Sequence, residues 1–192
     1  MSGAVPVTVD HAVRIYGALM AQAAGVGNNH ALACMIASSR TGRGSLSVRL
    51  GLSSVAFHRL VEHHFPGATL PAPTPTGAAV PEPRPDELAD LVRLMLINKA
   101  SASPSEVWIA HIVAAGCMAA DHLWSDLGLW SRTDLTALMR RNFPALAARN
   151  VKDMRWKRFL YRELCEAEGI HTCRTPSCGV CADYRACFEP EG

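Results

Sequence analysis

The stretch Ser103-Pro-Ser-Glu-Val-Trp-Ile-Ala-His-Ile-Val-Ala-Ala-Gly-Cys117 predicts a helix more clearly than any other part of the chain. Ser103 is a typical N-cap residue, and Pro104 suits the first helical position. Glu106 would complete a capping box, in which its side chain accepts from the backbone amide of Ser103. Apolar residues then recur at helical spacing, namely Trp108, Ile109, Ile112 and Val113. This stretch therefore predicts a core helix.

Similar signals on both sides of this stretch predict further helices. Apolar stripes at helical spacing are formed by Ile15, Leu19, Met20 and Ala23, by Val55, Leu60, Val61 and His64 after Ser53, and by Leu88, Leu91, Val92 and Met95. A weaker capping box, Ser131 with Asp134, precedes Leu135. Asn150 and Asp153 open a last helix that ends at Gly169 and carries Trp156, Phe159, Leu160 and Leu164. Because no segment alternates with period two, we expect an all-α fold: a single, mainly helical domain with an irregular cysteine-rich tail that binds metal.

Seven of the twelve prolines fall between Pro66 and Pro85. Proline removes a backbone donor and disfavours helix, so this stretch is typical of a polyproline-like or disordered linker. A partner that binds PxxP motifs is the alternative to a plain spacer. The linker, residues 66–85, separates an N-terminal helical segment, residues 1–65, from a helical region, residues 86–192.

Composition is typical of a globular protein, with 49% hydrophobic and 19% charged residues among 192. The net charge of +2 is too small to favour nucleic acid or a membrane surface as a partner. The N-terminus lacks the basic start and apolar run of a secretory signal. Apolar stretches such as residues 107–120 are too short to span a bilayer. We therefore expect a cytoplasmic protein.

Four of the seven cysteines crowd into the last 20 residues, in a C-x4-C-x2-C-x5-C pattern within residues 170–188. They are Cys173, Cys178, Cys181 and Cys187. The C-x2-C pair lets two sulfurs converge on one metal, and Pro176 and Gly179 permit the turns around it. Thiolates are soft ligands that select zinc, copper(I) or iron–sulfur species over magnesium or calcium. The pattern therefore predicts one metal site with these four cysteines as ligands.

The spacing alone leaves both zinc and an iron–sulfur cluster open. Its C-x4-C-x2-C part matches plant-type ferredoxins, whereas four cysteines also suit structural zinc. Zinc sites often use two C-x2-C pairs, and this chain has one, which favours a cluster. The C-x3-C-x2-C spacing of radical S-adenosylmethionine enzymes is absent, and no nucleotide, flavin or nucleophile–base motif accompanies the cysteines. We therefore expect a carrier rather than an enzyme.

Other cysteines and histidines are secondary candidates. Cys165 is interpreted as a core residue, with a spare thiol or an added ligand as alternatives. His171, two residues before Cys173, either gives nitrogen to a heterometal or is an ordinary exposed histidine. Cys117 and His122 share one segment and could approach the metal in space. The residues interpreted as structural or solvated, without ligand-like neighbours, are Cys34, His63 and His64.

Two basic segments could bind an anion or a partner. Residues 38–45, which overlap the basic stretch 40–49, predict a flexible loop that is either solvated or holds an oxyanion such as molybdate or phosphate. This loop lacks the lysine and the spacing of a P-loop. On the last helix, four basic residues either steer an acidic partner or molybdate, or form a solvated face. They are Arg155, Lys157, Arg158 and Arg162.

Beyond the cysteine motif, five stretches of the C-terminal half carry a family resemblance. They are residues 122–129 (His-Leu-Trp-Ser-Asp-Leu-Gly-Leu), residues 142–147 (Asn-Phe-Pro-Ala-Leu-Ala), Asn150, residues 154–162 (Met-Arg-Trp-Lys-Arg-Phe-Leu-Tyr-Arg) and residues 165–169 (Cys-Glu-Ala-Glu-Gly). Together with the motif, they resemble the NifQ family of nitrogen-fixation proteins. A resemblance over about half the chain is more specific than one short motif.

The resemblance implies a protein that carries a molybdenum–iron–sulfur cluster on Cys173, Cys178, Cys181 and Cys187. Such a protein donates molybdenum to assembly of the nitrogenase iron–molybdenum cofactor. The implied partners are the NifEN scaffold complex, the NifH iron protein, and molybdate or a molybdenum-storage source. His171, His122 or an external ligand would complete the coordination of molybdenum. The alternative function is a zinc-stabilised helical interaction module.

Overall fold

All regular secondary structure in the described part of the chain is helical. A computed structural model describes the backbone of residues 7–74 and 84–167, and the side chains of residues 11–74 and 84–166. The helices are α1 Val7–Ala21, α2 Asn29–Arg40, α3 Ser54–His64, α4 Pro85–Ile97, α5 Pro104–Cys117, α6 Leu123–Asp126, α7 Arg132–Asn142, α8 Pro144–Arg149 and α9 Trp156–Ala167. The all-α prediction is thus confirmed for these residues. The predicted metal-binding tail lies outside them.

One hydrophobic core joins the helices on both sides of the proline-rich stretch. Helix α2 packs on α1 and α7, and α3 packs on α5. Helix α4 packs on α5 and α9, and α6 contacts α5 and α7. The largest fully buried side chains are Phe65, Phe143 and Phe159. The helices therefore form a single domain, as the sequence predicts. Within the described ranges, no helix has the length and apolarity that crossing a bilayer requires.

Helix α2 is a long helix that the sequence patterns miss. Ten of its twelve residues are buried, and the buried side chains, which are mostly small or apolar, lie on all faces of the helix. A helix of this kind lacks the single stripe that periodicity detects. The prediction of a flexible loop at residues 38–45 is therefore wrong for Ser38, Ser39 and Arg40, which form the last turn of α2.

Serine N-caps begin three helices; the caps at Ser103 and Ser131 are predicted from the sequence, whereas Ser53 is predicted only as the approximate start of its helix. The Oγ atoms of Ser53, Ser103 and Ser131 accept from the backbone amides of Ala56, Ser105 and Asp134. The capping box at Ser103 is wrong in one respect, because the Glu106 carboxylate binds the amide and hydroxyl of Ser101, at 3.0 and 2.8 Å. The Ser103 amide donates instead to the Ser101 hydroxyl, at 3.2 Å. Glu106 therefore closes the loop before α5.

Helix α9 begins at Trp156, later than the predicted start at Asn150 and Asp153. Asn150 instead folds the preceding loop, because its Oδ1 accepts from Met154 N at 2.8 Å and its Nδ2 donates to Met154 O at 3.0 Å. Asp153 has φ 47°, which is incompatible with a right-handed helix. The predicted stripe is buried at Trp156, Phe159 and Leu160. The predicted end at Gly169 lies outside the described residues.

The first part of the proline-rich stretch packs on the helices. Ala68 and Leu70 contact the core. Arg40 Nη1 donates to Pro71 O at 3.0 Å, and Thr74 N donates to Arg40 O at 2.9 Å. Residues 66–74 are therefore attached to the end of α2, whereas residues 75–83 are not described.

Candidate functional site

The predicted metal ligands, Cys173, Cys178, Cys181 and Cys187, lie outside the described residues, and so does His171. The structure describes the helix that leads to them. Helix α9 ends at Ala167, six residues before Cys173. Because an extended chain spans at most about 3.6 Å per residue, Cys173 lies within roughly 22 Å of that end. The candidate site is therefore built on α9 and its surroundings.

Lys157 attaches the first half of α9 to the body of the protein. Its ammonium group donates to Ala119 O at 2.8 Å, to Asp121 O at 2.6 Å, and to the Asp126 carboxylate. The Asp126 side chain is 1% exposed and also accepts from the Ser45 hydroxyl, at 2.5 Å. An ammonium group has three donors, and all three are used here. Lys157 therefore joins α9 to α6 and to the loop after α2.

Tyr161 attaches the middle of α9 to α4 and α5. Its hydroxyl donates to the Glu87 carboxylate on α4 and lies 3.4 Å from Cys117 O on α5. Glu87 also pairs with Arg84 at 3.2 Å, and Arg84 donates to Met118 O at 3.3 Å. Lys157 and Tyr161 together fix the position from which the chain enters the cysteine motif.

The four basic residues predicted on the last helix, of which Arg155 precedes the start of α9, do not form a free basic face. The Lys157 ammonium group is bound inside the protein. Arg162 Nε pairs with Glu166 at 2.6 Å, and this hydrogen bond raises the pKa of Arg162. Arg155 and Arg158 also have interaction partners. The structure therefore does not favour this helix as the surface that steers a partner or molybdate.

The two secondary candidates that the structure describes, His122 and Cys165, lie near opposite ends of α9. His122 is exposed at the N-cap of α6, next to Asp121, whose carbonyl binds Lys157. Cys165 is partly buried on α9, eight residues beyond Lys157. Eight helical residues span about 12 Å. The described residues therefore do not bring these two candidates together.

Cys117 is a core residue. Its side chain is fully buried, and burial raises the pKa of its thiol to about 12. At neutral pH the group is therefore a thiol, whereas metals bind the thiolate. The structure gives no support for Cys117 as a ligand of the predicted metal.

Cys34 is structural, as interpreted, because its side chain is fully buried, but the interpretation that it lacks ligand-like neighbours is wrong. Its Sγ lies 3.9 Å from His30 Nε2, which is 3.2 Å from Asp134 Oδ1, and the Tyr16 hydroxyl donates to His30 Nδ1 at 2.9 Å. The i, i+4 spacing of His30 and Cys34 could have indicated this pair. Burial nevertheless raises the pKa of Cys34 to about 12. In the described ranges, no three His, Cys, Asp or Glu side chains are placed to hold one metal ion.

His64 is structural and lies in a buried polar network. Its Nδ1 donates to Asn29 Oδ1 at 2.7 Å, and its Nε2 accepts from the Ser105 hydroxyl at 3.0 Å. Asn28 and Asn142 exchange side-chain hydrogen bonds at 2.8 and 2.9 Å, and Asn28 also donates to Ser105. Burial lowers the pKa of His64 to about 4. The network joins α2, α3, α5 and α7, and no local pattern could have identified it because its members lie far apart in sequence.

The loop after α2 is attached to α6. Arg43 N donates to Ser38 O, and Ser45 N donates to Asp126 O, both at 2.9 Å. Gly128, just after α6, has φ 72°, and a Cβ there would lie 2.6 Å from the Ser38 Cβ. The amides of Arg43 and Ser45 are therefore not available to bind an oxyanion, which disfavours this part of the loop as a molybdate site.

The sequence of this chain is similar to those of known proteins. A sequence profile of the NifQ family matches residues 31–189, a range that includes all four motif cysteines. The chain is 41% identical to Protein NifQ of Azotobacter vinelandii over 167 residues, which is 82% of this chain and 86% of the relative. It is 39% identical to Protein NifQ of Rhodobacter capsulatus over 150 residues, 78% and 81% of the two chains. No solved structure matches the chain significantly.

Proposed function

This chain belongs to the NifQ family, and from that membership we propose that it carries a molybdenum–iron–sulfur cluster and donates molybdenum. Family membership gives the chain a role in nitrogen fixation, in the biosynthesis of the nitrogenase cofactor. In the proposal, the cluster is cargo that is bound and then delivered. The protein therefore acts as a carrier rather than an enzyme.

The observation that carries the proposal is the four-cysteine motif inside the matched range, residues 31–189. Four thiolates suit iron–sulfur species, because soft ligands select soft metals. In the proposal, Cys173, Cys178, Cys181 and Cys187 bind the iron atoms of the cluster.

Two buried thiols of the helical body, those of Cys34 and Cys117, compete poorly for this cargo. A cysteine that binds a metal loses its proton, and that loss costs more free energy when the pKa is higher. Burial raises the pKa of both Cys34 and Cys117 to about 12. The motif cysteines therefore need not compete with these two thiols at neutral pH.

The proposed acceptor is the NifEN scaffold complex, with the NifH iron protein taking part, and the proposed supplier is molybdate or a molybdenum-storage source. Transfer requires an approach to the motif, which lies close in sequence to the end of α9. Lys157 and Tyr161 hold that helix on the body, so the end of α9, from which the chain continues to the motif, has a fixed position.

Molybdenum often takes nitrogen or oxygen ligands in addition to sulfur, and the proposed sources are His122, His171 or an external ligand. His122 is exposed on α6. The molybdenum-to-iron ratio should fall in His122→Ala or His171→Ala, whichever removes a ligand, while iron is retained. His58→Ala is the matched control, because the His58 side chain is 79% exposed on α3. An unchanged molybdenum-to-iron ratio in both histidine variants would mean that an external ligand, not a histidine, completes the coordination of molybdenum.

Anaerobic purification with iron, molybdenum and zinc analysis and electron paramagnetic resonance tests the cluster. We expect iron with molybdenum in the wild-type protein and loss of both in Cys181→Ala. Cys34→Ala is the control, because it removes a buried thiol from the body and should keep the metals. Stoichiometric zinc in a colourless protein would contradict the proposal and favour the zinc-stabilised interaction module.

A further inference from the structure

The ends of α4 and α8 carry the two most exposed large apolar side chains of the described residues. Ile97, the last residue of α4, is 77% exposed, and Val151, two residues after α8, is 85% exposed. The segments that carry them are joined by a hydrogen bond from Arg149 Nη1 to Asn98 Oδ1, at 3.1 Å. We define the Ile97–Val151 surface as Ile97, Lys99, Arg149, Val151 and Lys152.

This surface is positively charged. Arg149 pairs with Glu163 at 2.6 Å, and the Glu163 side chain is only 10% exposed. In the described part of the chain, neither Lys99 nor Lys152 has a carboxylate within ion-pair distance. Lys99, Arg149 and Lys152 against Glu163 leave a net charge of +2, and the neighbouring carboxylate of Asp153 is neutralised by Arg132, at 3.2 Å.

The Ile97–Val151 surface lies beside the helix that leads to the cysteine motif. Glu163, the partner of Arg149, is on α9, four residues before Ala167. Four helical residues span about 6 Å. The Arg149–Glu163 pair therefore connects the Ile97–Val151 surface to the last turns of α9, the helix from which the chain continues to the cysteine motif.

We propose that the Ile97–Val151 surface docks an acidic, partly apolar surface of the protein that receives the molybdenum. This inference rests on the proposed function. Protein interfaces commonly combine an apolar centre with a polar rim, and complementary charge accelerates the encounter and fixes the register. Two exposed apolar side chains, flanked by lysines that have no carboxylate partner in the described part of the chain, fit a partner patch in which carboxylates surround apolar residues.

Binding of the metal-loaded protein to the scaffold complex tests the docking surface. The variants are Val151→Asp and the pair Lys99→Glu with Lys152→Glu, measured anaerobically at low and high ionic strength. We expect Kd to rise at least about tenfold in each, and the salt dependence of the wild-type protein to be lost in the lysine pair. Iron and molybdenum content should stay unchanged.

Matched controls lie on α3. Val55 is 63% exposed, so Val55→Asp places a similar charge on another exposed valine, and Arg59→Glu reverses an exposed cation. We expect both controls to bind within about twofold of the wild-type protein, because exposed residues outside an interface contribute little to affinity.

The outcomes separate docking from cargo transfer. Surface variants that bind as tightly as the wild-type protein and still deliver molybdenum would overturn the docking proposal and leave the proposed function standing. Binding that depends on the surface without delivery of molybdenum would support the docking surface and contradict the proposed function. Self-association that these variants abolish, without an effect on scaffold binding, would assign the surface to a second copy and also overturn the proposal.

Discussion

His64 makes the stability of the helical body depend on pH. Burial lowers its pKa from 6.5 to about 4, so between these two pH values the folded protein holds a neutral imidazole whereas the unfolded chain holds a protonated one. The contribution of neutral His64 to the free energy of unfolding is fully present above pH 6.5 and is lost as the pH falls towards 4, because protonation then favours the unfolded chain. A difference of 2.5 pKa units corresponds to about 3 kcal/mol.

Urea unfolding at pH 7 and at pH 4.5 measures this effect. In His64→Gln, the free energy of unfolding should change less between the two pH values than in the wild-type protein, by an amount on the order of 2–3 kcal/mol. His58→Gln is the control, because this histidine is exposed on α3. A wild-type pH dependence in His64→Gln would show that another group is responsible.

At the scale of the element, Lys157 attaches α9 to the body through three hydrogen bonds. In Lys157→Met, the Asp126 carboxylate loses the cation that compensates its burial, and its side chain is only 1% exposed. Breaking a buried pair from one side typically costs about 3–5 kcal/mol. We expect a loss of this size in urea unfolding.

Two further variants show whether the stranded carboxylate causes that loss. Adding Asp126→Asn to Lys157→Met should recover part of the stability, because the buried charge is removed. Lys152→Met replaces an exposed lysine and should change the free energy of unfolding by no more than about 0.5 kcal/mol. Equal losses in Lys157→Met and Lys152→Met would contradict the assigned role of Lys157.

The close approach of α6 to α2 requires a glycine at position 128. Gly128→Ala would combine an unfavourable positive φ with a Cβ only 2.6 Å from the Ser38 Cβ. Gly25→Ala is a matched control, because Gly25 has φ 73° with nothing within 4 Å of the added Cβ. We expect a loss of about 1–2 kcal/mol in Gly25→Ala and about 1–3 kcal/mol more in Gly128→Ala. Similar unfolding midpoints for the two variants would contradict the close contact.

Helices were predictable from the sequence where a cap and a one-sided stripe coincide. Ser103 and Ser131 cap helices as expected, and Ser53, near which a helix was expected to start, is also a cap. Helix α2 was not predictable in this way, because its burial on all sides removes the polar face that periodicity needs. The start of α9 was misplaced because Asn150 and Asp153, which resemble caps in sequence, instead fold a loop.

At the scale of the whole molecule, the candidate site divides into a local part and a long-range part. The cysteine motif is local in sequence and was visible in its spacing, and the family match includes it. The contacts of Lys157 with Ala119 and of Tyr161 with Glu87 join residues 38 and 74 positions apart. Such contacts are set by helix packing, so spacing cannot reveal them. The same holds for the contact of His30 with Asp134 beside Cys34, which joins residues 104 positions apart.

The helical body should stay folded when the metal is removed. Its core consists of side chains in the described residues, and Lys157 and Tyr161 hold α9 without the tail. A bound metal raises the stability of a fold only if unfolding of that fold releases it. We therefore expect the far-ultraviolet circular dichroism and the urea midpoint to agree among metal-loaded protein, chelator-treated protein and a variant with all four motif cysteines replaced by alanine. That variant also controls for direct effects of the chelator, to which it should be insensitive. Loss of cooperative unfolding in the chelator-treated protein would instead mean that the cysteines staple the helices together, as the zinc-stabilised module requires.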